Sequence, residues 1–181
     1  LTLPGGQSIY FFPVITLADL QPSLLSTALG FESVHINTGL LINGAHSRPL
    51  SRRVAEGEKT FWAAGDWGLD KHNSRDGRLG LAEASMGYNY GPAQLDFSLG
   101  YTGSDQELML GGEAKHRGKY VMVESVIPLV QAKGIYTTIG AFEQWGDLDT
   151  RRGFDNLGTI EYSNGSTDTK SWGVRARVDW E

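Results

Sequence analysis

A chain of 181 residues, 40% hydrophobic and 20% charged with a net charge of −5, is long enough for one folded domain and gives no reason to expect disorder or nucleic-acid binding. It has no cysteine, which excludes disulfides and thiolate metal sites, and no apolar run of about 18 residues, which excludes a transmembrane helix but leaves a transmembrane barrel open. Its 24 glycines, five tryptophans and seven tyrosines suit a turn-rich β protein.

The chain opens on LTLPGGQSIYFFPVITL, a Pro-Gly-Gly turn followed by a short strand-like run at Ser8 to Phe12. With no starting Met and no basic-then-apolar leader, it reads as a processed piece or a fragment. From Ala18 to about Ile42 the pattern turns helical. Leu20, Leu24, Leu25, Leu29, Val34, Ile36, Leu40 and Leu41 recur among small and polar residues, with Asp19 as the expected N-cap and Pro22 near the first turn. Gly30 and Gly39 are expected points of interruption. Few charges mark this helix, which is unusual for one lying open to water. Residues 43–59, NGAHSRPLSRRVAEGEK, form a polar connector with Pro49 as a breaker.

Six strands follow: Thr60 to Gly68, Leu79 to Tyr90, Ala93 to Thr102, Lys119 to Val130, Ile135 to Gly146 and Ser171 to Glu181. The intervening stretches alternate long, short, long, short, long. If neighbouring strands are antiparallel, every long loop lies at one end and every short turn at the other, as in outer-membrane barrels.

Side chains of a strand alternate between its faces. In the third strand Ala93, Leu95, Phe97, Leu99 and Tyr101 oppose Gln94, Asp96, Ser98, Gly100 and Thr102. In the second, Ala82, Ala84, Met86, Tyr88 and Tyr90 oppose Glu83, Ser85, Gly87 and Asn89. In the last, Trp172, Val174, Ala176, Val178 and Trp180 oppose Arg175, Arg177 and Asp179. The fourth sets Val121, Val123, Ile127 and Leu129 against Glu124, with Met122 and Val126 blurring it, and the fifth is ambiguous on both parities. Two architectures share this pattern. A soluble sheet buries the apolar face, whereas a membrane barrel turns it to lipid and keeps the polar face inside. On the second reading Glu83, Asp96, Glu124, Arg175 and Arg177 line one wet lumen and pair across strands. Tyr88, Tyr90, Tyr101, Trp172 and Trp180 then suit the interfacial girdles.

No motif for chemistry competes. His35, His46, His72 and His116 are scattered without metal-ligand spacing and read as solvated residues. Asp147, Asp149 and Asp155 loosely resemble an acidic calcium loop, but the Gly position and closing Glu do not fit. Asn164-Gly165-Ser166 matches a glycosylation triplet and reads as a turn. Glu83 with Asp96 is conceivable as a catalytic carboxylate pair, yet a lumen ion-pair network accounts for both with fewer assumptions. The expectation is no enzyme, no metal and no cofactor.

The runs LINGAHSRPLSRRVAEGEKTFWAAGDWG, GLAEASMGYNYGPAQLDFSLGYT and WGVRARVDWE resemble the translocator β domain of autotransporters, the type V secretion proteins, most closely the branch behind subtilase- or esterase-like passengers. The likeness spans about Ala18 to Glu181. It implies an all-β fold: an up-and-down antiparallel barrel of about twelve strands in the outer membrane of a Gram-negative bacterium, with the linker helix threaded through its lumen. Residues 1–17 would be the end of the passenger, 18–59 the linker helix and connector, and 60–181 the first barrel strands. The implied partners are outer-membrane lipid, the chain's own passenger and the barrel-assembly machinery. About six strands are half of such a barrel, so a missing half or a second chain must close the sheet. Some members cut their passenger off at an Asn of this helix. Asn37 and Asn43 lie in that region without a paired-Asn signature. The alternative is a soluble or small membrane β-barrel that binds a ligand or partner through its loops.

Overall fold

A computed structural model describes residues 16–180 apart from 45, 73 and 74. The expected turn and strand-like run before residue 16 lie outside the described residues. Helix α1 runs Leu17–Asn43 without a break at either Gly30 or Gly39. It begins before the expected cap, so Asp19 lies in the first turn and Pro22 inside the helix. In the connector, Pro49 starts a 3-10 helix, Pro49–Arg52, rather than ending an element, because its fixed φ suits a first helical position.

The rest is all β. Strands β1 (Lys59–His72), β2 (Arg75–Asn89), β3 (Gln94–Glu107), β4 (Glu113–Val130), β5 (Ile135–Asn156) and β6 (Thr159–Trp180) form one open sheet in sequence order. Every neighbouring pair is antiparallel. The long loops expected from the sequence are corrected here: most of their residues are strand. Asp147 to Asn156 pairs with Thr159 to Asp168, leaving Leu157-Gly158 as the turn, so Asn164 to Ser166 lie in a strand and not in a turn. Asp147, Asp149 and Asp155 sit on β5 rather than in a calcium loop. The two ends of the sheet therefore differ in how far the hairpins extend, not in loop length. At 22 residues each, β5 and β6 are about 70 Å long.

Helix α1 covers one face of the sheet. Leu41 packs with Leu81, Tyr120, Met122 and Phe142, and Val34 packs with Leu108, Ala114 and Leu148. The helix thus runs from the end bearing the long hairpins toward the end of the 90–93 and 131–134 turns. There the connector turns back and closes that end. Asn89 Nδ2 donates to Val54 O at 2.6 Å, Gly57 N donates to Asn89 O at 2.8 Å, and Arg53 stacks over the Tyr136 ring at 4.2 Å.

The inner face, the one carrying α1, is the polar parity of each strand. Gln94, Asp96, Ser98, Thr102, Ser104 and Gln106 of β3 are buried, while Leu95, Phe97, Leu99 and Tyr101 point away and are exposed. On β6, Val174 is 75% exposed and the neighbouring Arg175 side chain 10%. Met122 and Val126, which blurred the fourth strand, are buried on the inner face, and the ambiguous fifth strand puts Tyr136 and Phe142 there too. An inner face that also packs on a helix needs apolar residues on both parities.

Large inner side chains sit opposite glycines. Tyr120 pairs in register with Gly100, and Phe142 with Gly173. A Cβ at Gly173 would meet Phe142 Cε1 at 2.6 Å, and one at Gly100 would overlap the Tyr120 ring. The aromatic ring covers backbone that a glycine leaves bare. Replacing Gly100 by Val displaces Tyr120 from its contacts and is expected to destabilise by about 1–3 kcal/mol, read as a lower urea midpoint. An unchanged midpoint contradicts this packing.

Candidate functional site

The inner-face acids and bases meet where α1 passes into the connector. In register, one row across the sheet reads Gly87, Asp96, Glu124, Gly140, Arg175. Because Gly140 has no side chain, Glu124 reaches across β5 and its Oε1 lies 3.2 Å from Arg175 Nε. A Cβ at Gly140 would stand 3.0 Å from Glu124 Cγ.

Arg175 also grips the end of the helix. Its Nη1 donates to Ile42 O at 2.8 Å and its Nη2 to His46 O at 2.7 Å. Two positions along, Arg177 Nη1 donates to Ser47 O at 2.7 Å and Nη2 pairs with Asp179. The last carbonyls of a helix lack intrahelical donors and carry its negative partial charge, so a guanidinium is well placed there. An arginine suits the position because its fork supplies several donors in one plane.

His46 occupies the centre. Its Nε2 lies 2.7 Å from Glu83 Oε2 and its Nδ1 contacts Glu124 Oε2, and the ring is wholly buried. Glu83 takes three further groups: Tyr120 Oη at 2.7 Å, Trp62 Nε1 at 3.3 Å and Arg52 Nη1 at 3.5 Å. Arg52 in turn lies 4.7 Å over the Trp62 ring. Asp96, directly opposite Glu124, is held by Gln94 Nε2 at 2.8 Å.

All five residues expected to line a lumen are thus on one face. The structure brings Glu83, Glu124 and Arg175 together around His46. Asp96 joins only by register, and Arg177 binds the connector and its own-strand neighbour Asp179 instead of an acid across the sheet. The solvated reading of the histidines is corrected for two of them: His46 and His116 are 1% and 0% exposed. His46 turns from the connector onto the sheet and His116 faces α1, a tertiary fact that isolated histidines cannot signal.

Deeper along the helix is a neutral network. Asn37 Nδ2 donates to Ser104 Oγ at 3.1 Å and lies 2.8 Å from His116 Nδ1, and His116 Nε2 lies 3.0 Å from Thr169 Oγ1. Gln144 Nε2 donates to Thr102 Oγ1 at 2.7 Å, and Thr38 Oγ1 donates to Gln144 Oε1 at 3.3 Å. Asn37 Oδ1 is buried and finds no hydrogen-bond partner among the described residues. Asn43 is exposed at the helix end.

Chemically, the site is a fixed set of charge pairs that holds a helix terminus. Among the described residues no group of three or more His, Asp or Glu is placed to bind a metal ion. Neither a protein-family model nor a curated protein matches the chain.

Arg175→Met removes two donors to backbone carbonyls and the counter-charge of a buried carboxylate. It is expected to cost about 3–5 kcal/mol, against about 1–2 kcal/mol for Arg177→Met, whose side chain is more exposed. Equal losses in urea unfolding contradict the central role of Arg175.

Proposed function

We propose that the chain is the first half of an outer-membrane autotransporter translocator, which anchors and helps export an N-terminal passenger and has no chemistry of its own. The observation that carries this reading is the orientation of the sheet. Its charged parity faces the helix, and its apolar parity, broken within the band by Glu143 paired to Lys170, faces away with nothing among the described residues to cover it. In a soluble β protein the expected arrangement is the reverse.

Three features support it. The outward apolar stretch of β6 runs from Trp172 to Trp180, and nine residues are about what a tilted strand needs to cross hydrocarbon. At the border of the apolar band, one row across β3 to β6 reads Tyr101, Lys119, Trp145, Lys170. Alternating amphipathic rings and long cations suit a boundary between acyl chains and head groups. Beyond that row the outward residues turn charged, with Arg117, Asp147 and Lys115. No helix among the described residues is long and apolar enough to cross a membrane.

In this reading α1 sits in a hydrated lumen and joins the passenger outside to β1 at the inner end. The finer features, twelve strands, outer-membrane lipid and insertion by the barrel-assembly machinery, come from the family resemblance. Hydrocarbon tolerates no unpaired sheet edge. The reading therefore requires that β1 and β6 be joined by further strands, either of the same polypeptide or of a second copy.

The intact protein is expected to leave cells only with detergent and to migrate differently on a gel before and after boiling. Free solubility as a detergent-less monomer would refute the proposal. A finer test is Val174→Arg. It should destabilise the protein refolded into lipid vesicles by about 2–4 kcal/mol, whereas a water-facing position would show almost no change.

A further inference from the structure

His46 ties the connector to the sheet through both nitrogens of its ring, one to Glu83 of β2 and one to Glu124 of β4. A carboxylate oxygen can only accept, and a neutral imidazole offers one N–H and one lone pair. Two carboxylates on two ring nitrogens therefore need one more proton than a neutral ring between ionised acids carries. The requirement is the same whether that proton sits on the ring or is shared along the close contact with Glu124. Without it, one ring lone pair would face a carboxylate lone pair in a buried site.

We propose that His46 is a proton-dependent latch, seating the junction of α1 and its connector on the sheet at acidic to neutral pH and releasing it as pH rises. The proposal uses contacts inside this chain alone, so it stands or falls separately from the export reading.

The groups around His46 make release feasible. Glu83, Asp96, Glu124 and Tyr120 face it from β2, β3 and β4, Arg175 and Arg177 with Asp179 from β6, and Arg52 from the 3-10 helix. Once the ring is neutral, Glu124 keeps Arg175, and Glu83 keeps Tyr120, Trp62 and Arg52. Neither acid is left unpaired, so the ring can leave without stranding a charge. His46 itself lies in the connector. Burial works against its charged form, but the hydrogen bonds and charges of Glu124 and Glu83 outweigh that and raise its pKa above the ordinary 6.5. A raised folded value means that the stabilising contribution is complete below the unfolded pKa and is lost as pH climbs through the folded one. The latch therefore opens on the alkaline side of an ordinary histidine.

The chain has no cysteine, so Arg48→Cys, at an exposed position next to the latch, carries a unique spin label. In whichever medium keeps the chain folded, the label is expected to be immobilised at about pH 6 and to gain a mobile component toward about pH 9, with a midpoint above about 6.5. Glu124→Gln should lower that midpoint by about one unit or more, and His46→Gln should abolish the transition. A label whose mobility is flat over this range in the parent, or a transition that survives in His46→Gln, overturns the proposal. Should the variants fail to fold, nitrogen NMR of the His46 ring in the chain without those substitutions decides it. Two protonated nitrogens below the midpoint support the latch, and a single neutral tautomer throughout overturns it.

Discussion

Charged groups on a buried face must find partners there, and in this chain a short length of connector provides them. Arg175 and Arg177 reach the carbonyls of Ile42, His46 and Ser47, and Glu83 and Glu124 close on the His46 ring. Without the helix end and connector Glu124 would keep Arg175 and Arg177 would keep Asp179, but the two guanidinium groups would lose three backbone carbonyls and Glu83 would lose Arg52 as well as His46. The helix is therefore a structural part of the sheet and not a passenger laid upon it. Its seat is specified by a few directional contacts at one end and by small apolar patches, one around Leu41 near that end and one around Val34 further back.

The inner face is accordingly organised by hydrogen bonds more than by hydrophobic burial. Asn37, Thr38, Thr102, Gln144 and His116 interlock in pairs along the helix. Apolar side chains appear where a glycine opposite leaves room for them, as with Tyr120 and Phe142. Glycine serves the charges in the same way. The gap at Gly140 is what lets Glu124 and Arg175 meet over an intervening strand, which no adjacent-strand pairing rule anticipates.

The fold was legible where periodicity was strong. The alternation in Ala93 to Thr102 and in Ser171 to Trp180 gave both the strands and their faces, because one parity is apolar and the other not. It failed above the apolar band. There, Asp147 to Asp155 and Glu161 to Asp168 hold only a scattered Leu148, Phe154 and Tyr162 among polar residues and glycines, with no sustained alternation, so the residues read as loop although the backbone pairs throughout. Helix continuity through Gly30 and Gly39 was likewise hidden, since a glycine costs a helix interior only about 1 kcal/mol and does not by itself end it. Of the site, the five charged residues were visible as the odd parity of apolar strands. His46 was not, because its role arises from a turn that brings residue 46 against residues 83 and 124. Glycines 87, 100 and 140 at inner positions were an available signal of close approach that composition alone left unread.

An α-helix with its side chains is about 10–12 Å across, while four paired strands laid flat cover about 14 Å from first to last and six cover about 24 Å. Yet groups from β2, β4 and β6 all touch one helix end, and β1 reaches the same point through Trp62. A flat sheet could not do this. The junction thus acts as a mandrel, a single point of attachment over which four of the six strands are drawn into curvature.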